Sequence, residues 1–235
     1  MRFARRLSGL RRLVRGTALF FCAAPVVHAA GGHFAVDDAA ILDADQCQLE
    51  SWEEFETGGA RSLFHFGPSC RVGPVELGLN VDRLRSRGRD SSTVFGPQVK
   101  WAVAVDDDFS VGFVGLVGWQ GKAPRYAGAT LYLPFSLHVA PPLWLHANGG
   151  RDWYRGAPST SRLGLALEWD LGTTWTMTGE LFRQASGNFA RLGTRWQASP
   201  NVSIDLSRAS ALGVRSSGWW SLGANWAFEV DRARP

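Results

Sequence analysis

Strict alternation of bulky apolar residues with small or polar residues runs through this 235-residue chain and constrains its fold more than any other feature. In the segment 75–82, valine or leucine occupies every odd position, and Glu, Gly, Asn and Asp occupy the even positions. A period of two residues predicts β-strands. The same alternation is clear at 95–103, 109–119, 129–139, 162–169 and 220–228, and weaker at 47–56, 62–68, 143–150, 175–184, 188–197 and 201–208. The sequence therefore predicts about twelve strands, each long enough to cross a bilayer when tilted.

The polarity of the two strand faces indicates the architecture. The apolar face is bulky and continuous, and the chain contains 11 Trp and 14 Phe, whereas the opposite face carries Gly, Ser, Thr and charges of both signs. A barrel with a lipid-facing exterior and a polar lumen requires this distribution, and closure leaves no unpaired edge in the membrane. A soluble barrel around an apolar cavity is the alternative, although it seldom needs twelve strands. We expect an all-β fold, a single transmembrane antiparallel barrel over residues 47–228.

The N-terminus has the pattern of a secretory signal peptide. A basic stretch over 2–15 precedes a short apolar stretch over 17–27, and small residues allow cleavage after Ala29 or, alternatively, Ala30. We therefore expect residues 1–29 to be a cleaved signal peptide and residues 30–46 to be a periplasmic segment or a small plug. Residues 229–235 are expected to form a periplasmic tail.

Export determines how the cysteines are interpreted. Cys22 lies in the predicted signal peptide, and the bulky Phe21 before it excludes a lipidation site. Cys47 and Cys70 remain, and two cysteines in an oxidising compartment indicate one disulfide. Two buried free thiols are the alternative.

The charge balance argues against a nucleic-acid partner. The net charge of +4 depends on six arginines in residues 1–29, without which 19 basic residues face 21 acidic ones. A mature chain that is slightly acidic does not favour nucleic acid. The acidic residues Asp37, Asp38, Asp43 and Asp45 lack the glycine and terminal glutamate of a calcium loop.

The loops alternate in length, which predicts the orientation. Connections after even-numbered strands are mostly short, whereas those after odd-numbered strands are longer and rich in arginine, so both termini are expected in the periplasm. Arginine suits phosphate, so the outer rim is predicted to contact lipopolysaccharide and to favour the entry of anions. An ordinary solvated rim is the alternative. The basic rim comprises Arg83, Arg85, Arg87, Arg89, Arg125, Arg151 and Arg155.

Two segments carry a family resemblance. The alternating segment 220–228, which ends in Phe228, resembles the C-terminal assembly signal of bacterial outer-membrane β-barrel proteins. The segments 32–39 and 47–52 are similar to uncharacterised proteobacterial barrels. The resemblance implies a Gram-negative outer-membrane location, surrounding lipids and lipopolysaccharide, and insertion by the barrel assembly machinery. It implies no particular activity.

Charged residues on the polar face suggest what the lumen does. Opposite charges either form a conduit for small solutes or pair across a narrow interior and close it. The predicted function is a small-solute channel or uptake barrel with a narrow polar lumen; the alternative is a structural or surface-interaction barrel that binds lipopolysaccharide. The predicted lumen residues are Glu76, Lys100, Ser136, His138, His146, Arg162, Glu168, Glu180, Arg191, Arg195 and Asp205.

Catalytic chemistry has one candidate cluster. If 140–142 closes a hairpin with Val139 opposite Leu143, Ser136 faces His146 across the strands, and Glu168 on the next strand could orient the histidine. An outer-membrane lipid hydrolase is therefore a second alternative. A metal site at His138 and His146 lacks a clear third ligand, and no cofactor motif is present. The sequence favours a lumen hydrogen-bond cluster over an enzyme.

Overall fold

A computed structural model describes residues 32–122, 124–185, 187–213 and 218–230. These residues form a closed barrel of twelve antiparallel strands, in which each strand pairs with its neighbours in sequence and β12 pairs with β1. The predicted fold class and strand count are confirmed; the signal peptide predicted at 1–29 lies outside the described residues. The strands are β1 (Gln46–Glu56), β2 (Arg61–Val72), β3 (Val75–Ser86), β4 (Ser92–Ala104), β5 (Phe109–Gln120), β6 (Arg125–Ala140), β7 (Leu143–Tyr154), β8 (Ala157–Leu171), β9 (Trp175–Gln184), β10 (Gly187–Ser199), β11 (Val202–Ala211) and β12 (Gly218–Glu229).

Among the described residues, no helix is long and apolar enough to cross a membrane.

The outer surface of the barrel is apolar and the inner surface is polar. In β8, Leu165 and Leu167 are 53% and 47% exposed, whereas the alternate residues Ala166 and Glu168 are 3% and 5% exposed. Tryptophans such as Trp169, Trp175, Trp196 and Trp226 also face outward near one rim. An apolar belt of this size would be unstable in water, and aromatic residues at its edge suit a membrane interface. The predicted location in the outer membrane is confirmed.

The two ends of the barrel differ in their connections. Gln46 pairs with Glu229, so the first and last strands begin and end at the same rim. Outer-membrane barrels usually keep their termini and short turns in the periplasm. Following the orientation predicted from sequence, we call this the periplasmic rim and the opposite one the outer rim. The turns at the periplasmic rim are 73–74, 105–108, 141–142, 172–174 and 200–201. At the outer rim, the described connecting residues are 57–60, 87–91, 121–122, 124, 155–156, 185 and 212–213.

Several strands are longer than the apolar alternation predicted. The segment 67–74, predicted as a loop, mostly continues β2, the predicted outer loop 151–160 is largely strand, and half of the predicted outer loop 83–92 is strand. The reason is that pairing continues into the polar headgroup region, where apolar alternation is no longer required. The outer loops are therefore shorter than the sequence predicted.

The predicted disulfide is confirmed. Cys47 on β1 and Cys70 on β2 are directly opposite in the strand register, and their Cα atoms are 3.9 Å apart. Cys70 was predicted to lie in the connection after β2, but it lies within β2 because this strand extends to Val72. The bond thus joins two neighbouring strands near the periplasmic rim.

Candidate functional site

Residues 32–45 form a segment that we call the lumen segment: residues 32–42 lie inside the lumen, and residues 43–45 are exposed. The segment has neither helix nor strand, yet Val36, Ala39 and Leu42 are at most 3% exposed. Buried backbone amides need partners, and here side chains of the barrel wall supply them. The amides of Gly32, Val36, Ala39 and Leu42 donate to Glu50 (2.8 Å), Glu180 (2.8 Å), Ser136 (2.8 Å) and Glu76 (3.2 Å), respectively. Strands from all sides of the lumen therefore hold the segment.

A buried ion-pair cluster fixes the centre of the segment. Lys100 on β4 places its Nζ 3.0 Å from Asp37 Oδ1 and 2.8 Å from Asp38 Oδ1. The hydroxyl of Tyr132 on β6 donates to Asp37 Oδ2 at 3.0 Å. Lys100 and Asp38 are 7% and 3% exposed, so the pair is shielded from solvent. Breaking such a pair from one side leaves a poorly solvated charge, which makes the cluster a strong anchor.

A second cation holds the start of the segment. Arg191 on β10 donates to the backbone carbonyl of His33 and lies 3.5 Å from both Glu54 and Glu180. The His33 ring is buried against Phe34, and burial, followed by the charges of Arg191 and Arg195, lowers its pKa to about 2. His33 therefore stays neutral and contributes packing rather than charge.

Apolar contacts complete the fit of the segment to the wall. Val36 packs against Ala166 and Phe182 in a small buried cluster. A Cβ atom at Gly164 would collide with Val36, and one at Gly193 would lie 2.8 Å from the Phe34 ring. Glycines at these two positions of the wall make room for the segment.

Acidification should strengthen this docking. Burial raises the pKa of Asp37 to about 6, with a further contribution from Asp38, while Lys100 and Tyr132 oppose the shift. Since the docked carboxyl binds its proton more tightly than a free one does, docking gains stability as the pH falls through about 6 and loses it as the pH rises. We expect the backbone amides of the segment to be more protected from hydrogen exchange, after correction for the intrinsic exchange rate, at about pH 5 than at about pH 7.5. The dependence should decrease in Asp37→Asn; a variant that keeps the full dependence would contradict this assignment.

The three candidate catalytic residues lie together in the lumen wall. Ser136 Oγ is 2.8 Å from His146 Nδ1, and His146 Nε2 is 3.9 Å from Glu168 Oε2. Ser136 also accepts the amide hydrogen of Ala39 and is only 4% exposed. The serine therefore faces the lumen segment rather than the membrane.

The hairpin that positions this cluster differs from the predicted one in one detail. Ser136 is opposite His146 in the strand register, but Leu143 pairs with Ala140 rather than with Val139, because a bulge separates His138 from Ala140. His138 lies at the periplasmic rim, where its Nδ1 is 3.2 Å from Asp108. It is therefore separate from the segment contacts. Within the described residues, no group of three or more His, Cys, Asp or Glu side chains could hold a metal ion.

The remaining charges predicted for the lumen also face inward. Arg195 pairs with the fully buried Asp205 at 2.6 Å, and Arg162 pairs with Asp152 at 3.0 Å. The pairs join neighbouring strands, β10 to β11 and β7 to β8. Much of the lumen charge is thus neutralised within the wall.

A cavity of about 600 Å³ remains between the lumen segment and the wall formed chiefly by β1–β6. On one side, His65 Nδ1 is 2.7 Å from Asp82, and the ring stacks on Trp52 with centroids 4.7 Å apart. Glu50 accepts the Trp52 indole hydrogen at 3.1 Å. A second cavity of about 370 Å³ adjoins it, lined by Glu54, Arg61, Arg191 and Trp219 among others. Space for small solutes therefore lies beside the segment.

The alternation located the wall of this site but not all of its residues. Glu50, Trp52, His65 and Asp82 were not predicted as lumen residues, and neither was the pairing of Lys100 with the aspartates of the segment. Assigning every second residue of β1, β2 and β3 to the lumen would have identified these four side chains. No local pattern indicates which wall residue meets an irregular segment.

The arginines of the predicted outer rim have different surroundings. Arg83 and Arg85 lie on β3 and Arg151 on β7, Arg125 begins β6, and Arg87, Arg89 and Arg155 are in turns. Arg87 donates to the carbonyls of Gly58 and Gly59, both at 3.3 Å, in the turn after β1. The rim is therefore not one uniform patch.

A closed twelve-strand barrel with an apolar exterior and a polar, partly occupied lumen defines a porin-like outer-membrane β-barrel. The chain belongs to the family described as "Uncharacterised conserved protein UCP029691", whose model matches residues 18–228. No curated protein matches the sequence.

Solved porins and channels share the fold. The KdgM porin in complex with disordered oligogalacturonate is 11% identical, with a TM-score of 0.64, and covers 77% of this chain and 99% of its own. The NanC porin is 10% identical, with a TM-score of 0.56, and covers 76% and 98%. The P. putida toluene transporter TodX is 8% identical, with a TM-score of 0.53, and covers 87% and 96%. At these identities the similarity concerns the fold alone.

Proposed function

We propose that the protein is an outer-membrane channel for small polar solutes, narrowed by its own lumen segment. The observation that carries this proposal is the cavity of about 600 Å³ that lies beside the segment and is lined by charged and amide side chains together with apolar ones. A barrel with a purely structural role would be expected to fill its interior with side chains, as small barrels do. The similarity of the fold to known porins and to a toluene transporter supports a transport role.

The cavity walls favour cations. The basic residues of the walls are already neutralised: Lys100 pairs with Asp37 and Asp38, and Arg162 pairs with Asp152. Glu50, Glu76 and Asp82 present further carboxylates, whose hydrogen-bond donors include backbone amides, an indole and an imidazole. Excess negative charge along a narrow path selects cations. This differs from the anion preference that the outer arginines predicted, because the excess charge lining the cavity is acidic.

Neutralising the cavity carboxylates should reduce this selectivity. We expect the unaltered protein to show a cation-selective reversal potential in a KCl gradient, and the double variant Glu50→Gln with Asp82→Asn to shift it toward equal permeability. Asp90→Asn removes the same kind of charge from a side chain that is 95% exposed in an outer turn, and it should leave the potential unchanged. Anion selectivity in the unaltered protein, or an equal shift in the control, would overturn the assignment.

The cluster of Ser136, His146 and Glu168 is better explained as part of the segment anchor than as a hydrolase site. A lipid substrate would have to reach a serine that is buried in the lumen and accepts the Ala39 amide hydrogen. Ser136→Ala removes that acceptor and leaves a buried amide without its partner, at a cost of about 1–3 kcal/mol.

We therefore expect Ser136→Ala to increase channel opening. We also expect the unaltered protein and the variant to hydrolyse lipid no faster than a protein-free control. Phospholipid hydrolysis that is present in the unaltered protein and lost in Ser136→Ala would favour the enzyme instead. Ser110→Ala, on the neighbouring strand β5 and paired with Ser136 in register, provides a matched control.

A further inference from the structure

Five arginines point from the barrel wall toward the membrane, and all lie in the outer halves of their strands. In the described strands, no lysine or arginine points outward in the periplasmic half. Alternation with exposed apolar residues fixes the direction; Arg183, for example, follows the buried Phe182 and pairs with the exposed Leu163. The five are Arg83 and Arg85 on β3, Arg151 on β7, Arg183 on β9 and Arg208 on β11.

Three of these arginines flank one aromatic surface. The strand register aligns Arg208, Trp220, Phe55, Ser62 and Arg85 in a single row across β11, β12, β1, β2 and β3. The Arg208 guanidinium lies over the Trp220 ring, 5.6 Å from its centroid. Four strand spacings separate Arg208 from Arg85, or about 19 Å. The row therefore presents cations at two ends of an apolar centre.

The row just below has the same character. It places Leu222, Glu53, Phe64 and Arg83 side by side on β12, β1, β2 and β3. Trp220, Phe55 and Phe64 are 51%, 47% and 40% exposed, as expected for side chains in contact with lipid. Within the described part of the chain, Arg83 and Arg85 form no ion pair. Glu53 supplies one carboxylate that can accept hydrogen bonds from amide or hydroxyl groups.

We propose that this surface, formed by Arg83, Arg85, Arg208, Glu53 and the aromatic rings between them, binds the phosphorylated glycolipid headgroup of lipopolysaccharide. The arginines emerge at the level where the outer leaflet carries its headgroups. Guanidinium groups bind phosphate through paired donors, while acyl chains can lie on the exposed rings below. This site is independent of the channel function. It shares Arg83 and Arg85 with the 83–89 segment predicted from sequence and adds Arg208, which also donates to the backbone carbonyl of Ala209.

The test is the binding of bis-phosphorylated lipid A to the folded protein in detergent, measured by native mass spectrometry. We expect specific binding that falls roughly 10-fold or more in the triple variant Arg83→Ser, Arg85→Ser and Arg208→Ser, since charge-assisted contacts are the strong ones. Arg155→Ser removes the same charge from an outer turn and should bind as the unaltered protein does. Heat-modifiable gel mobility reports whether each variant is folded.

Two further measurements use the unaltered protein and do not depend on the variants. Dephosphorylated lipid A and phosphatidylglycerol should each bind at least several-fold more weakly than bis-phosphorylated lipid A. Equal binding of the dephosphorylated lipid, equal binding of phosphatidylglycerol, or an unchanged affinity in the folded triple variant would overturn the proposal. So would a loss in Arg155→Ser as large as in the triple variant.

Discussion

Removal of residues 32–45 is expected to raise the single-channel conductance severalfold. The segment lies in the lumen, where it contacts strands of the wall between β1 and β10. None of the residues 32–45 belongs to a strand, so strand pairing does not depend on them. The barrel should therefore close without it, and water should solvate Glu180, Arg191 and Lys100. The measurement compares the planar-bilayer conductance steps of two chains that both start at residue 30, one with and one without residues 32–45.

A glycine and serine segment of equal length is the matched control for this deletion. It keeps the length of the chain before β1 but lacks the side chains of Val36, Asp37 and Asp38, so the conductance of this variant should approach that of the deletion. If the deletion folds, as judged by heat-modifiable mobility, and conducts no more than the complete chain, the segment does not narrow the path.

Replacement of Lys100 by methionine should release the segment almost as effectively. The change removes the ammonium that lies within 3.0 Å of both Asp37 and Asp38, and both carboxylates are enclosed by the wall. Breaking a buried pair from one side costs about 3–5 kcal/mol, enough to shift a docked segment to a mostly open state. Bilayer recordings should show long open intervals with a conductance close to that of the deletion.

The matched control is Lys122→Met. This lysine forms its 3.6 Å ion pair with Asp90 in an outer turn where both side chains are more than 80% exposed, so its loss should have little effect. Adding Asp37→Asn and Asp38→Asn to Lys100→Met should restore part of the closed state, because the uncompensated charges disappear. Unchanged gating in Lys100→Met would show that the cluster is not an anchor.

The wall of the barrel could be predicted from sequence because a membrane imposes one simple rule on it. Alternation at 75–82 and in similar segments indicates that one strand face contacts lipid and the other faces the lumen. The positions of the strands, the closure of the barrel and the inward direction of Glu180 and Arg191 can be predicted from it. The ends of the strands could not be predicted, because outward-facing residues in the headgroup region need not be apolar. The bulge between His138 and Ala140 shifted one pairing for a similar reason, since local geometry at a turn leaves little trace in an apolar pattern.

The contents of the lumen could be predicted only in outline. The acidic residues at 37–45 allowed either a solvated segment or a small plug, and the structure places residues 32–42 inside the barrel and leaves 43–45 exposed. The choice depends on long-range partners such as Lys100 and Glu180, which lie 62 and 144 residues away from the groups they bind. The outer arginines show the same limit: Arg85 and Arg87 look alike in sequence, yet one faces the membrane and the other binds a turn.

The most direct test of the channel assignment is a single-channel recording of the unaltered chain from residue 30 onward in a planar bilayer. Heat-modifiable mobility should first establish that the refolded protein is a closed barrel. The account predicts discrete, cation-selective conductance steps that are absent from protein-free bilayers and that become less frequent at acidic pH. A folded and inserted protein that gives no conductance steps, either complete or without residues 32–45, would contradict it.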